Sequence, residues 1–283
     1  MKKDPRVKAD NPIWCELSLY GLSSAPFALI REKDGVIVAR VFTGKGTAIL
    51  KAFDEGVSLR ELENYRVLIS LGVPTLKVCG FASRSILMED IEASPVLRLG
   101  REEDVNDPAV VTAIARWYRL LHGRGLEYVR EKGSEMYDEW DLLTEENLRL
   151  IKTLGPDCER AVRNLAKVFP SIQKRAEAAP RTLCYNDFYY TNMAVAKDKS
   201  FALMFDYNFL GKGSPANDLL NATYDMTGEM RALFLKEYGE NCGEELAFAR
   251  TLSPIVSLIS ALKRDVFPSW AEEAKAEFLE RWG

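Results

Sequence analysis

Hydrophobic spacing changes character once along this chain, and that change limits the folds open to it. Up to about residue 91 the apolar residues come in short runs with strand spacing: 13–20, 27–31, 36–42, 75–82 and 85–89. Lys33-Asp34-Gly35 separates two of these runs and predicts a hairpin, because Asp-Gly accepts the positive φ of a tight turn. One helical stretch, 59–71, interrupts the strands, with Leu62, Tyr65, Leu68 and Ile69 near one face and a stop at Gly72-Val73-Pro74. From Pro108 onward helical spacing dominates, over 108–123, 142–154, 159–169, 172–178, 216–238, 244–262 and 269–282. The exception is 182–207, where two apolar runs, 193–196 and 201–205, flank the polar turn Lys197-Asp198-Lys199-Ser200 and predict a second hairpin. The pattern predicts an α+β chain of two lobes: residues 1–91 as a small antiparallel-sheet lobe with one helix, and residues 92–283 as a larger, mainly helical lobe.

Composition narrows the chemistry. Apolar residues make up 47% of 283, enough for a substantial core, and a net charge of −4 offers no basic field for nucleic acid. The five cysteines include no Cys-x-x-Cys pair, which fits reduced thiols and a cytoplasmic protein. The opening MKKDPRVKAD lacks the apolar run of a secretory signal, and no uninterrupted apolar run reaches the roughly 20 residues of a membrane span. The single histidine, His122, makes a multi-imidazole metal site or a second-histidine triad hard to build. Any catalysis falls to carboxylates and cations.

The informative stretch is Cys184-Tyr185-Asn186-Asp187-Phe188-Tyr189-Tyr190-Thr191-Asn192, with Leu203-Met204-Phe205-Asp206 after the hairpin. Phosphoryl transfer needs a carboxylate beside the attacking hydroxyl, an amide oxygen in the same loop as a metal ligand, and a second carboxylate on an adjacent strand. Asp187, Asn192 and Asp206 meet those needs if the hairpin returns Asp206 to the loop. Taken singly, Asp-x-x-x-x-Asn is common and an Asp in a loop usually caps a turn.

In this order the segments resemble the aminoglycoside phosphotransferase and choline kinase superfamily, which has a protein-kinase-like fold. The resemblance implies transfer of the γ-phosphate of ATP, with Mg2+, to a hydroxyl of a small molecule such as an aminoglycoside, choline or a related amino alcohol. Asp187 would be catalytic, Asn192 and Asp206 would hold the metal, and Asp218 in Asn217-Asp218-Leu219 would brace the loop. The family's loop begins His-Gly-Asp or His-Asn-Asp; here Tyr185 stands in place of the histidine, which leaves a catalytically weak nucleotide-binding pseudokinase as the alternative.

The same resemblance makes 87–91, with Met88, Glu89 and Ile91, a hinge for the adenine, and sets the loop Gly21 to Ala25, with Ser23 and Ser24, over the phosphates. Arg40 is the expected phosphate-holding cation; Lys51 is its rival, ranked second because it leaves only ten residues to the helix glutamate and needs an extra strand, and Glu61 is the expected ion-pair partner. His122 in Leu121-His122-Gly123 reads as structural. Tyr189, Tyr190, Tyr207, Trp140 and Trp270 are candidates for a cage around a quaternary ammonium, against the plainer reading of packed core.

Overall fold

The computed structural model describes residues 12–57, 59–239 and 242–283. The described residues form two compact units, each assembled from three segments: unit 1 from within 12–117, 187–209 and 226–237, unit 2 from within 118–186, 210–225 and 238–283. Membership therefore does not follow a single cut at residue 91.

Unit 1 opens with helix α1 (Pro12–Leu19), where a strand is expected. Ile13 and Leu17, four apart, bury one face, and Gly21 ends the helix at φ +71° while the Leu22 N–H reaches back to the Leu17 carbonyl. Strands β1 (Phe27–Lys33), β2 (Val36–Thr43) and β3 (Gly46–Phe53) follow, then α2 (Arg60–Ser70), β4 (Val78–Phe81) and β5 (Ser85–Glu89). The five strands form one antiparallel sheet in the order β1-β2-β3-β5-β4. Asp34 and Gly35 take φ of 53° and 71° in the β1–β2 turn, as the Asp-Gly pair predicts. Alternation along β2 and β3 gives the sheet two uses. Ile37, Ala39, Val41, Ala48 and Leu50 pack with α1, leaving Val38, Arg40, Ile49 and Lys51 on the opposite face.

A second sheet of unit 1 joins β6 (Leu97–Leu99), β8 (Met193–Ala196) and β9 (Ala202–Met204), so the hairpin at 193–204 pairs with a strand about a hundred residues earlier. Gly100 lets this happen: its amide donates to the Met193 carbonyl at 2.7 Å, and a Cβ there would lie 2.3 Å from the Tyr190 carbonyl.

The long helix α3 (Pro108–Lys132) gives its first ten residues to unit 1 and the remainder to unit 2. Unit 2 further contains α4 (Glu145–Ile151), α5 (Pro156–Ala166), α6 (Phe169–Ala178), β7 (Thr182–Cys184), β10 (Gly211–Gly213), α7 (Pro215–Ala222), α9 (Gly243–Leu262) and α10 (Ala271–Trp282); α8 (Gly228–Tyr238) lies in unit 1 up to Glu237. Its core gathers Ile151, Val162, Leu165, Phe169, Leu252, Ile255, Ile259 and Phe278 from α4, α5, α6, α9 and α10. By length and composition alone α9 could cross a bilayer, but half of that window is buried in this core. The run predicted as one helix over 216–238 is two, α7 and α8, with Thr223 to Thr227 between them.

Candidate active site

Unit 1 brings Lys51, Glu61, Asp187, Asn192 and Asp206 together. Lys51 leaves β3 on the face opposite α1, and its Nζ lies 2.6 Å and 2.8 Å from the two carboxylate oxygens of Glu61 in the first turn of α2. Glu61 is 1% exposed, so the pair is desolvated. Burial works against the Lys51 charge, but Glu61 and Asp206 outweigh it and raise the ammonium pKa. Burial raises the Glu61 carboxyl pKa, with Lys51 pulling against it. The Lys51 Nζ also donates to Asp206 Oδ1 at 3.0 Å.

Asp206 follows β9 in the left-handed region at φ +63°, which turns its carboxylate toward Lys51. That backbone is held on both sides. The Phe205 N–H donates to the Asn192 carbonyl at 3.0 Å, and Asn64 of α2 donates its side-chain amide to the Tyr207 carbonyl at 2.7 Å. Tyr207 itself is buried, edge-on to Tyr65 at 4.7 Å, with its hydroxyl bonded to the Met204 carbonyl. Asn208 donates to the same Asp206 Oδ1 at 2.7 Å, so among the described residues Oδ2 takes no side-chain donor.

The loop leading to β8 supplies the rest. Asn192 donates from Nδ2 to Asp187 Oδ2 at 3.2 Å, which leaves its amide oxygen for another partner. Burial, with Asp206 adding repulsion and Lys51 opposing, raises the Asp187 carboxyl pKa to about 7. Carboxylate and amide oxygens are hard donors that suit Mg2+, and Asp206 Oδ2 and Asn192 Oδ1 are such a pair, fixed on adjacent segments.

Two sequence expectations are corrected. Arg40 does not pair with Glu61: its guanidinium bonds Asp90 at 2.6 Å and Glu92 at 2.6 Å. Lys51 takes the Glu61 pairing because the extra strand it needs exists, the first apolar run being a helix. Gly21, Ser23 and Ser24 connect α1 to β1 and do not line the cavity of this unit. That cavity, of about 250 Å³, is lined by Lys51, Glu61, Asp206, Arg40 and the run from Met88 through Glu89 and Ile91 to Glu92.

In unit 2 a buried carboxylate braces the segment before Asp187. Asp218 of α7, fully buried, accepts the backbone N–H of Tyr185 at 2.7 Å on Oδ2 and that of Asn186 at 2.9 Å on Oδ1. His122 of α3 adds a bond to Asp218 Oδ2 at 3.0 Å from Nε2 and meets the Tyr238 hydroxyl at 2.9 Å through Nδ1. The bracing acts on main-chain amides, so Tyr185 in the histidine position leaves it intact. Cys184 sits beside His122 and Asp218; its thiol donates to the Ser214 carbonyl at 3.5 Å, and burial raises its pKa well above the ordinary value.

A second cavity, of about 280 Å³, belongs wholly to unit 2 and is lined by Glu139, Glu273, Glu277, Tyr224, Trp270 and Asn186, among others. Asn217 donates to Glu139 Oε2 at 2.7 Å, while burial raises the Glu139 carboxyl pKa. A hydrogen bond to Glu273 helps push the Tyr224 phenol up to about 12. No sequence signal marked Glu139, Tyr224, Glu273 or Glu277. Of the five aromatic cage candidates only Trp270 lines this cavity; Trp140 packs against Phe248 in the core, Tyr207 is in the core of unit 1, and Tyr189 stacks on Tyr190 in unit 1.

Comparison with known proteins decides the family. The model of the phosphotransferase enzyme family, APH, matches residues 33–252. The chain belongs to this family. Similar solved structures are the choline kinase LicA from Streptococcus pneumoniae (14% identity, 95% of this chain and 96% of that one, TM-score 0.67) and a choline/ethanolamine kinase family protein from Mesorhizobium loti (14%, 94% and 92%, 0.69). The ADP-bound aminoglycoside phosphotransferase APH(2'')-Ib is comparable, at 17% identity, 96% and 97% coverage and TM-score 0.67. No curated protein matches by sequence. At these identities the likeness to solved structures establishes a protein-kinase-like α+β fold, and the APH match makes the chain a phosphotransferase.

Proposed function

We propose that this phosphotransferase moves the γ-phosphate of ATP, with Mg2+, to a hydroxyl of a small amine-bearing molecule. The observation that carries the reading is the convergence of Lys51, Glu61 and Asp206 with the Asp187–Asn192 pair in one unit. Lys51, held by Glu61, neutralises phosphate charge; Asp206 and Asn192 would hold the metal. Mg2+, when bound, would supply positive charge against that of the phosphates. Asp187 orients the acceptor hydroxyl and takes its proton late, so positioning and charge neutralisation supply most of the acceleration.

The cavity of unit 2 supports an amine on the acceptor. Three glutamates, with Trp270 and Tyr224, line a space that suits a cation better than a neutral sugar. Asn186, on its lining, is followed in the chain by Asp187. A pseudokinase gains no support, since each residue type the reaction needs is present and bonded.

An ADP-release assay with Mg-ATP and a panel of choline, ethanolamine, aminoglycosides, amino sugars and neutral polyols tests this. Turnover is expected with amine-bearing members, and Asp187→Asn should lower kcat by about 10²- to 10⁴-fold. ATP binding without turnover of any acceptor would overturn the reading.

A further inference from the structure

The cavity of unit 1 is lined by a second cation, Arg40, besides Lys51. Val38 and Arg40 of β2 and Ile49 and Lys51 of β3 share one face of the sheet, and the register pairs Val38 with Lys51 and Arg40 with Ile49. Arg40 therefore stands two residues along from the rung of Lys51, about 7 Å at the usual strand rise. Its guanidinium is fixed at that place. Nε donates to Asp90 Oδ2 at 2.6 Å, and Nη2 donates to Asp90 Oδ1 at 3.3 Å and Glu92 Oε2 at 2.6 Å. Asp90 is held in turn by the Thr47 hydroxyl at 2.7 Å.

Charge argues against a phosphate role for Arg40. Two carboxylates surround one guanidinium, so this end of the cavity is net negative and repels a polyanion that Lys51 attracts at the other end. Geometry argues for the base. Guanidinium hydrogen bonds lie in the plane of the group, so bonds to Asp90 and Glu92 consume edge donors and leave its faces for contact. A planar, weakly hydrated cation with an open face stacks on a π-system better than an ammonium does.

We propose that Arg40 is a nucleobase-binding residue whose guanidinium plane, set by Asp90 and Glu92, covers the base of a nucleotide whose phosphates lie at Lys51. This rests on the nucleotide-dependent reading above. Calorimetric titration of the full chain with adenosine and with ADP tests it, using Arg40→Met and Arg40→Lys, each checked for a wild-type unfolding transition. Arg40→Met is expected to weaken adenosine and ADP by the same factor, about 3- to 30-fold, and Arg40→Lys to lose nearly as much, because a point charge supplies no plane. Unchanged adenosine affinity in Arg40→Met, with or without a loss for ADP, would overturn the assignment, as would full recovery in Arg40→Lys. If wild-type protein binds neither adenosine nor ADP, the nucleotide reading itself falls along with it.

Discussion

Asp187 joins stability to activity in one side chain. Its carboxyl is pushed to about 7 by burial and by Asp206, against the pull of Lys51. A group that must accept a proton works only when ionised, so kcat/KM should rise with pH through about 7 and fall by about tenfold for each pH unit well below it. A profile flat between pH 5.5 and 8 would remove Asp187 from the proton-accepting role. The same raised pKa sets the sign for stability. The native state binds the Asp187 proton more tightly than the unfolded chain, so protonation favours the fold and stability is lost as pH rises toward and through 7. Asparagine has the same shape and no charge to bury. Asp187→Asn should therefore be more stable than the wild type at pH 8, by about 1–2 kcal/mol after allowance for partial exposure, with the gap narrowing toward pH 5 in urea titrations. A gain in stability where catalysis is lost is the expected mark of a strained active-site charge.

Element boundaries explain which residues were legible in sequence and which were not. The Asp187-to-Asp206 segment declared itself because its turn residues, loop spacing and hairpin are all local, and the structure forms the hairpin where the apolar runs predict it. The β1–β2 turn was legible for the same reason. The first apolar run was not: over eight residues, Ile13 and Leu17 at helical spacing also sit in a β-rich composition, and so short a run does not separate period 2 from period 3.6. Taking α1 for a strand shifted the strand count by one and moved the expected cation from Lys51 of β3 to Arg40 of β2. The cavity glutamates were illegible because Glu139 is distant in sequence from Glu273 and Glu277 of α10, and only tertiary packing collects them. Close packing of elements also makes a prediction. A Cβ on Gly125 of α3 would lie 2.5 Å from the Leu183 Cβ and 2.7 Å from its backbone nitrogen in β7. Alanine gains about 1 kcal/mol of helix propensity over glycine, but overpacking against a fixed backbone costs about 1–3 kcal/mol. Gly125→Ala should therefore lower stability in urea unfolding, whereas relief of the clash by a propensity gain would show as a higher midpoint.

At the scale of the whole molecule the chain passes between its two compact units five times, after Trp117, Asn186, Phe209, Asp225 and Glu237. Sequence reading sees a β-rich beginning and a helical remainder, and so places one boundary at residue 91. Hydrophobic spacing reports the kind of element each segment forms, not the partner it packs with, and the β6–β8 pairing joins segments no local signal connects. The consequence is chemical as well as architectural. Residues 1–91 contain Lys51, Glu61 and Arg40, but Asp187, Asn192 and Asp206 of the same unit lie in 187–209 and are anchored through β6, β8 and β9. A fragment of residues 1–91 would leave Lys51 and Glu61 without Asp206 and expose the face of α2 that Tyr207 covers through Asn64 and Tyr65. Small fragments that lose part of their core fall below the size at which burial offsets conformational entropy. Such a fragment is expected to show no cooperative thermal transition by circular dichroism and no ADP-dependent shift, while the full chain shows both; a folded, ADP-binding fragment would restore the boundary at residue 91.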